Sequence, residues 1–319
     1  FSSRAFRLDY AVNGASPPVA SPEGVEERAL LTESLEIEPQ EERPNQRLLR
    51  VGGETTVGVD PRRGNVSIYL GDRLAYGGVI GNKDTVLARE QLIALRNGRC
   101  EYRLPLKRGD RFYGLGEKSG PVDKRGRRYK MFNRDALAYD GAISDPLYKS
   151  IPLLIKDDLP EGVVSATFAP AGLVEADLGV ESTNFYSLYF DRKAFSVYVL
   201  LEEEYSTLMD RITGLLGRPL LPPLFTFGYF GSSMNYVEDD DGTERVEAFL
   251  EAIKQKKIPC EGIYLSSGYV KDDNGERYTF VWNRKRFPEP SRFLSRIRAA
   301  GLEVCANIKP GFLLTHPWY

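Results

Sequence analysis

Three short apolar runs begin near residues 224, 262 and 302, roughly 40 residues apart, with a helical stripe between each pair. No other pattern in the chain narrows its fold as far. The first run is 224–230 (LFTFGYF). Residues 243–257 then place Val246, Phe249, Leu250 and Ile253 at the i, i+3, i+4, i+7 positions of an amphipathic helix. Asp241 or Thr243 can cap that helix and Pro259 stops it. The second run, 262–265, breaks into Ser266, Ser267 and Gly268, followed by Tyr269. Residues 291–300 repeat the stripe with Phe293, Leu294 and Ile297, and Gly301 ends it. The third run, 302–308 (LEVCANI), is stopped by Lys309 and Pro310. Units of this kind build a parallel sheet with right-handed crossovers. Three of them cannot close a barrel of eight strands, so the pattern allows either a small open sheet or a barrel cut after its third strand.

In such sheets ligands bind beyond the carboxyl ends of the strands. An apolar run bounded by turn signals is consistent with a strand buried on both faces. Residues 258–270 therefore predict a buried strand whose polar end, Ser266 to Tyr269, forms the floor of a site.

Upstream the text is β-like. Residues 54–70 (ETTVGVDPRRGNVSIYL) read as two alternating segments joined by a turn at Asp60-Pro61-Arg62-Arg63-Gly64. Residues 163–168 are a further strand. Residues 185–190 and 195–201 alternate around Asp191-Arg192-Lys193 and predict a second hairpin. Many short strands without a convincing long helix predict a β-sandwich over about 40–205. The first 50 residues, rich in Pro, Glu and Ser, show no sustained period and read as partly irregular. A linker rich in Gly and Pro at 214–223 separates the two patterns. The expected division is 1–212 for the sandwich and 213–319 for the start of the barrel.

The chain has 319 residues and a formal net charge of −2, which gives no electrostatic reason for nucleic acid or an anionic membrane as partner. The basic run Lys124-Arg125-Gly126-Arg127-Arg128 reads as a solvated loop. No stretch approaches the ~18 apolar residues of a membrane helix. Cys100, Cys260 and Cys305 lack both metal-ligand spacing and a disulfide framework. The single histidine, His316, excludes a His-rich zinc site, and a Ser-His-Asp triad could use no other. Acid–base chemistry therefore falls to carboxylates. The first residues carry neither an initiator Met nor a signal-peptide core. The numbering is expected to begin inside a longer protein, and a cytoplasmic location is the expectation.

Between the strands lies a long polar loop, 111–155, dense in Tyr, Gly, Asp and Arg; a loop of such length in a compact domain is usually functional or disordered. Gly114-x-Gly116-x-x-x-Gly120 has the wrong spacing for a dinucleotide loop and no helical stripe follows it. Three ordered pieces of this loop resemble the N-terminal signature of glycoside hydrolase family 31, the α-glucosidase and α-xylosidase family. They are Phe112-Tyr113-Gly114-Leu115-Gly116-Glu117, Asn133-Arg134-Asp135-Ala136 and Asp145-Pro146-Leu147-Tyr148-Lys149-Ser150-Ile151-Pro152. The segment Gly217-Arg218-Pro219 to Pro222-Pro223, followed by Gly228-Tyr229, is similar to the family's entry into its barrel, as is Phe287-Pro288 ahead of the second helix.

The resemblance implies a galactose-mutarotase-like antiparallel β-sandwich followed by the first three βα units of a (β/α)8 TIM barrel. It implies a retaining, exo-acting enzyme on α-linked glucosides or related α-glycosides, with an α-linked oligosaccharide or glycoside as partner. Two carboxylates about 5–5.5 Å apart would act as nucleophile and as acid then base, and the resemblance implies no metal or organic cofactor. In the family both lie on later barrel strands, so both are expected beyond Tyr319 and the fragment alone is expected to be inactive. Asp135 matches the acid of the N-terminal loop that hydrogen-bonds the non-reducing sugar. The strand tips depart from the family. Ser266, Ser267 and Gly268 stand where an Asp-x-Asp pair is usual, Ser232-Ser233-Met234 where Ser-Arg-aromatic is frequent, and Lys309 where an Asp precedes Pro. The expected substrate-binding residues are Asp135, Met234, Ser266, Ser267, Gly268 and Asn307, in a pocket wider and less negative at the second tip. A transglycosylase of the same family and a non-catalytic carbohydrate-binding protein are the alternatives. Because three parallel strands expose an edge, residues 1–319 alone are expected to be unstable.

Overall fold

The computed structural model describes residues 4–12, 15–16, 18, 37–39, 47–60, 65–78, 93–158, 162–232, 234–309 and 311–319. The chain divides into two compact units, Phe1–Arg218 and Pro219–Tyr319.

Within the first unit the described strands form three antiparallel sheets of five strands each. One sheet runs in the order Ala5–Ala11, Ala194–Glu202, Val163–Phe168, Ser150–Asp158, Arg111–Gly116. A second runs Arg128–Lys130, Leu173–Asp177, Phe185–Phe190, Arg99–Pro105, Ile93–Arg96. The third takes its strands in chain order, Ile37–Pro39, Arg47–Val51, Thr55–Asp60, Asn65–Leu70 and Arg73–Gly77. All three feed one core, in which Ile68 and Tyr76 of the third sheet meet Phe112, Val197 and Val199 of the first and Tyr102, Leu104 and Leu188 of the second. The predicted hairpin over 54–70 forms, with Asp60 opposite Asn65; its turn at 61–64 lies outside the described residues.

The second predicted hairpin does not form. Phe185–Phe190 pairs with Leu173–Asp177 and Arg99–Pro105, whereas Ala194–Glu202 pairs with Ala5–Ala11 and Val163–Phe168 in the other sheet. Asp191, Arg192 and Lys193 thus form an arch between sheets. Phe190 and Phe195, on either side of it, stack inside the core with ring centroids 3.9 Å apart. Alternation reports which face of a strand is covered, not which strand lies beside it. Ala5–Ala11, within the segment read as partly irregular, is likewise a strand, in register from Ala5 opposite Leu200 to Ala11 opposite Ala194. It is fixed by a partner far away in sequence.

A helix that the sequence pattern did not announce, α1 (Tyr205–Leu216), lays Leu208, Ile212 and Leu215 against Val164, Ala166, Tyr198 and Leu200. The expected boundary between 212 and 213 falls within this helix, which packs with the first unit.

In the second unit Phe230–Ser232, Gly262–Tyr264 and Glu303–Cys305 form a parallel sheet, in that order. Helices α2 (Gly242–Gln255) and α3 (Pro290–Ala299) occupy the predicted crossovers. Their buried stripes, Val246 and Ile253, Phe293 and Ile297, meet Ile263 and Leu265 in a second core. One expectation needs correction. Residues 224–227 form a 3-10 turn with Leu224 and Phe227 exposed, and only 230–232 are strand. Gly231, Ile263 and Val304 share a register position facing the helices, whereas Ser232, Tyr264 and Cys305 lie on the opposite face, with Tyr264 41% exposed.

Candidate functional site

The carboxyl ends of the three parallel strands lead to Met234, to Ser266–Gly268 in residues 266–268, and to Asn307. Met234 opens a 3-10 turn, Met234–Tyr236, and is half exposed. Ser266 is partly buried and takes the left-handed conformation, φ 50°, uncommon for a residue with a side chain. Asn307 is exposed. Ser267 and Gly268 differ from the others because both are buried beneath the tip.

The reason lies in the segment after the first strand. Val237 and Glu238 pack so closely on Gly268 that a Cβ there would sit 2.5 Å from Glu238 Cγ and 2.8 Å from the Val237 carbonyl. Glycine is therefore required by close approach of backbone, not by an unusual φ. Glu238 Oε2 accepts from Lys271 Nζ at 2.9 Å, and Oε1 from Arg277 Nη2 at 2.5 Å. Arg277 Nε also donates to Ser267 Oγ at 3.0 Å. Burial raises the Glu238 carboxyl, but hydrogen bonds and charge from Lys271 and Arg277 outweigh it and hold the group below its ordinary range. The second tip is accordingly not an open, wider floor. The space beside Gly268 is filled, and an acid reaches it from the neighbouring loop.

Arg277 is delivered by a narrow hairpin in which Lys271 and Arg277 bridge. Asp272 Oδ1 accepts the backbone N–H groups of Asn274 at 2.9 Å and Glu276 at 2.8 Å, and Gly275 turns at φ 88°. Beside it a cavity of about 540 Å³ opens, lined by Glu276, Arg277, Thr279, Lys309 and Phe312 among others. Thr279 ties the second and third tips together, its hydroxyl donating to the Lys309 carbonyl at 3.4 Å and to the Gly311 carbonyl at 3.2 Å. Phe280, next in sequence, adopts φ 70° and stacks half exposed on Trp318. A larger groove, about 720 Å³, lies between α2 and α3. Lys257, Ile258 and Cys260 border it, so it sits at the opposite, amino-terminal end of the second strand.

His316 is buried, with Nδ1 accepting the Trp318 backbone N–H at 3.0 Å and Nε2 lying 2.8 Å from the Thr279 carbonyl. The first bond fixes the tautomer, so Nε2 carries the proton and donates. With both nitrogens committed to backbone, this ring braces the tip loops and is not placed as the base of a triad.

In the first unit the loop carrying Asp135 is built around Lys118, whose fully buried ammonium donates to Asp145 Oδ1 and Ser150 Oγ, each at 3.1 Å, and to the Lys130 carbonyl. Burial pushes the Lys118 ammonium down, while the hydrogen bond and charge of Asp145 act in the opposite sense. Asn133 Oδ1 accepts the Ser150 N–H at 2.7 Å, and the Arg134 N–H donates to the Leu147 carbonyl at 2.8 Å. Asp135 emerges from this frame exposed. Partial desolvation, with the hydrogen bond and charge of Asp135, raises the Tyr148 phenol.

Residues 27–164 match the glycosyl hydrolase 31 N-terminal galactose mutarotase-like domain, and residues 219–319 match the glycosyl hydrolases family 31 TIM-barrel domain. The chain belongs to glycoside hydrolase family 31. An α-glucosidase of Saccharolobus solfataricus is 29% identical over 212 residues, covering 66% of this chain and 29% of that protein. An α-xylosidase of Emericella nidulans is 26% identical over 218 residues, covering 67% of the chain and 26% of the relative. The chain thus spans less than a third of the length of these family 31 relatives. In fold it is similar to a family 31 dextranase of Flavobacterium johnsoniae solved with isomaltotriose. The TM-score is 0.79 at 21% identity, over 98% of this chain and 35% of that one. The likeness confirms the mutarotase-like domain and the start of a TIM barrel.

Of the predicted residues, Met234, Ser266 and Asn307 surround the tips with accessible side chains, Ser267 and Gly268 lie beneath them, and Asp135 belongs to the other unit. Sequence reasoning missed Glu238 and Arg277. Charged residues in polar loops carry no periodic signal, and Gly268, the one clue, shows its purpose only when the atoms it would meet are known.

Proposed function

We propose that the whole protein is a retaining, exo-acting glycoside hydrolase on α-linked glucosides or related α-glycosides. The observation that carries this reading is the cavity at the carboxyl ends of the second and third barrel strands, where (β/α)8 enzymes hold their substrates. Its lining mixes charged hydrogen-bonding groups with the Phe312 ring, a surface suited to the polar edges and apolar faces of a sugar. Family relatives bearing the names α-glucosidase and α-xylosidase support the substrate class. In the mechanism one carboxylate attacks the anomeric carbon while a carboxylic acid protonates the leaving oxygen. Water, activated by the same second group, then releases the sugar with retained configuration. The residues described here bind and orient. Asp135 is proposed to accept hydrogen bonds from sugar hydroxyls, and Met234, Ser266 and Asn307 to border the ring.

The full-length protein should hydrolyse a 4-nitrophenyl α-glycoside from a panel of glucoside, xyloside and galactoside, or an isomalto-oligosaccharide. Proton NMR should show the α-anomer of the released sugar first. Absence of turnover on the whole panel, or first appearance of the β-anomer, would overturn the reading.

A further inference from the structure

Arg277 is held from two sides, by Ser267 Oγ on Nε at 3.0 Å and by Glu238 Oε1 on Nη2 at 2.5 Å. Its other terminal nitrogen, Nη1, has only a 3.4 Å contact with the Gly275 carbonyl, at the limit of a hydrogen bond. That leaves donor capacity on a side chain that lines the tip cavity. Lys309 lines the same cavity from the third tip. Among the described residues its ammonium has neither a hydrogen-bond nor an ion-pair partner, while its carbonyl is engaged by Thr279. Two cationic donors with unused N–H groups therefore converge on one opening.

The surrounding charge decides what they would bind. Glu238 neutralises Arg277 from behind, and the Glu276 carboxylate lines the same cavity, where its Oε2 accepts from the hydroxyls of Tyr278 and Thr315. Two carboxylates thus offset Arg277 and Lys309, leaving only Lys271, itself bound to Glu238, as surplus. That balance suits a neutral ligand rich in acceptor oxygens better than an anion.

We propose that Arg277 and Lys309 are specificity-determining residues of this site, donating hydrogen bonds to oxygens of a neutral α-glycoside. Glu238 is a positioning residue that acts through Arg277. The inference rests on the glycosidase reading above and names which side chains of that site meet the sugar. Glu238 itself has both oxygens occupied and its stem against Gly268, so it orients the guanidinium and does not reach the ligand.

The test uses the full-length protein with Arg277→Met, Arg277→Lys, Lys309→Met, Glu238→Gln and the double variant of Arg277→Met with Glu238→Gln. Read-outs are kcat and KM on 4-nitrophenyl α-glucoside and the calorimetric Kd for isomaltotriose. Loss of one charge-assisted hydrogen bond should raise KM about tenfold in each Met variant while kcat stays within about threefold. Arg277→Lys should recover part of that loss. Glu238→Gln should raise KM less, and adding it to Arg277→Met should cost nothing further, as for groups acting in series. KM and Kd unchanged within about twofold in both Met variants would overturn the proposal. Should Arg277→Met fail to fold, the exposed Lys309→Met decides alone. If wild-type protein turns over no glycoside, the glycosidase reading fails, and the isomaltotriose Kd then decides this proposal. A tenfold weakening in Lys309→Met upholds it, and an unchanged Kd or no binding to wild type overturns it.

Discussion

Val163–Phe168 in the first unit and Gly262–Tyr264 in the second each have a strand on both edges, yet their faces fare differently. The former is buried at every position, with α1 against one face and the sandwich core against the other. The latter meets α2 and α3 on one face and leaves Tyr264 41% exposed on the other. The difference separates two uses of a short apolar run. Where both faces are covered the strand is a structural member. In the parallel sheet the strand's carboxyl end instead leads to the cavity lined by Arg277 and Lys309, the two side chains proposed to meet a ligand.

The largest expected effects come from the covered side of each unit. Phe195→Ala removes a ring stacked on Phe190 and should cost about 3–5 kcal/mol, whereas Ile263→Ala, with fewer atoms to lose, should cost about 2–4 kcal/mol. Both tryptophans, Trp282 and Trp318, lie in the second unit, so their fluorescence reports on that unit, while far-UV circular dichroism is dominated by the sheets of the first. Phe195→Ala should shift the dichroism transition and spare the fluorescence one, and Ile263→Ala the reverse. Coincident shifts in both signals would show that the units unfold as one and break the comparison.

How far the sequence could be read follows the same division. The strand–helix repeat announced α2 and α3 to within two residues at either end, because each buries a stripe that must recur at helical period. The antiparallel unit was legible as strands but not as neighbours. Phe185–Phe190 and Ala194–Glu202 looked like a hairpin, and only tertiary pairing places them in separate sheets. Helix α1 was overlooked because the last of its three anchors, Leu208, Ile212 and Leu215, falls inside the segment rich in Gly and Pro at 214–223 that reads as linker. At the site, the tip residues 266–268 were found from the break in apolar text. Their meaning was not, since the acid beside them, Glu238, comes from a loop about 30 residues earlier whose approach only Gly268 records.

A smaller effect sharpens the contrast at the tip itself. Glu238 is largely buried against Lys271 and Arg277, and Glu238→Gln should cost about 1–3 kcal/mol in the fluorescence transition. Its carboxyl is held below the ordinary range, so the sign is fixed. The stabilisation is fully present above the unfolded-state value, near pH 4.3, and is lost as pH falls through the lower folded value. Wild-type protein should therefore lose more of its second-unit stability than Glu238→Gln between about pH 5 and pH 3. Parallel pH curves for the two would mean that the carboxyl titrates alike in the folded and unfolded states and would remove Glu238 from the tip network.

The smallest effect belongs to an ion pair that resembles the tip network only on paper. Arg292 Nη1 lies 3.4 Å from Glu289 Oε2 at the start of α3, with both side chains about two-thirds exposed. Solvent screens such a pair, and holding two long side chains together costs entropy, so Arg292→Ala should change second-unit stability by no more than about 0.5 kcal/mol. Adding 0.5 M salt should leave even that difference unresolved. A loss as large as that of Glu238→Gln would mean that burial does not distinguish the two pairs. The tip network would then owe its strength to something other than the enclosure of Glu238 between Gly268, Lys271 and Arg277.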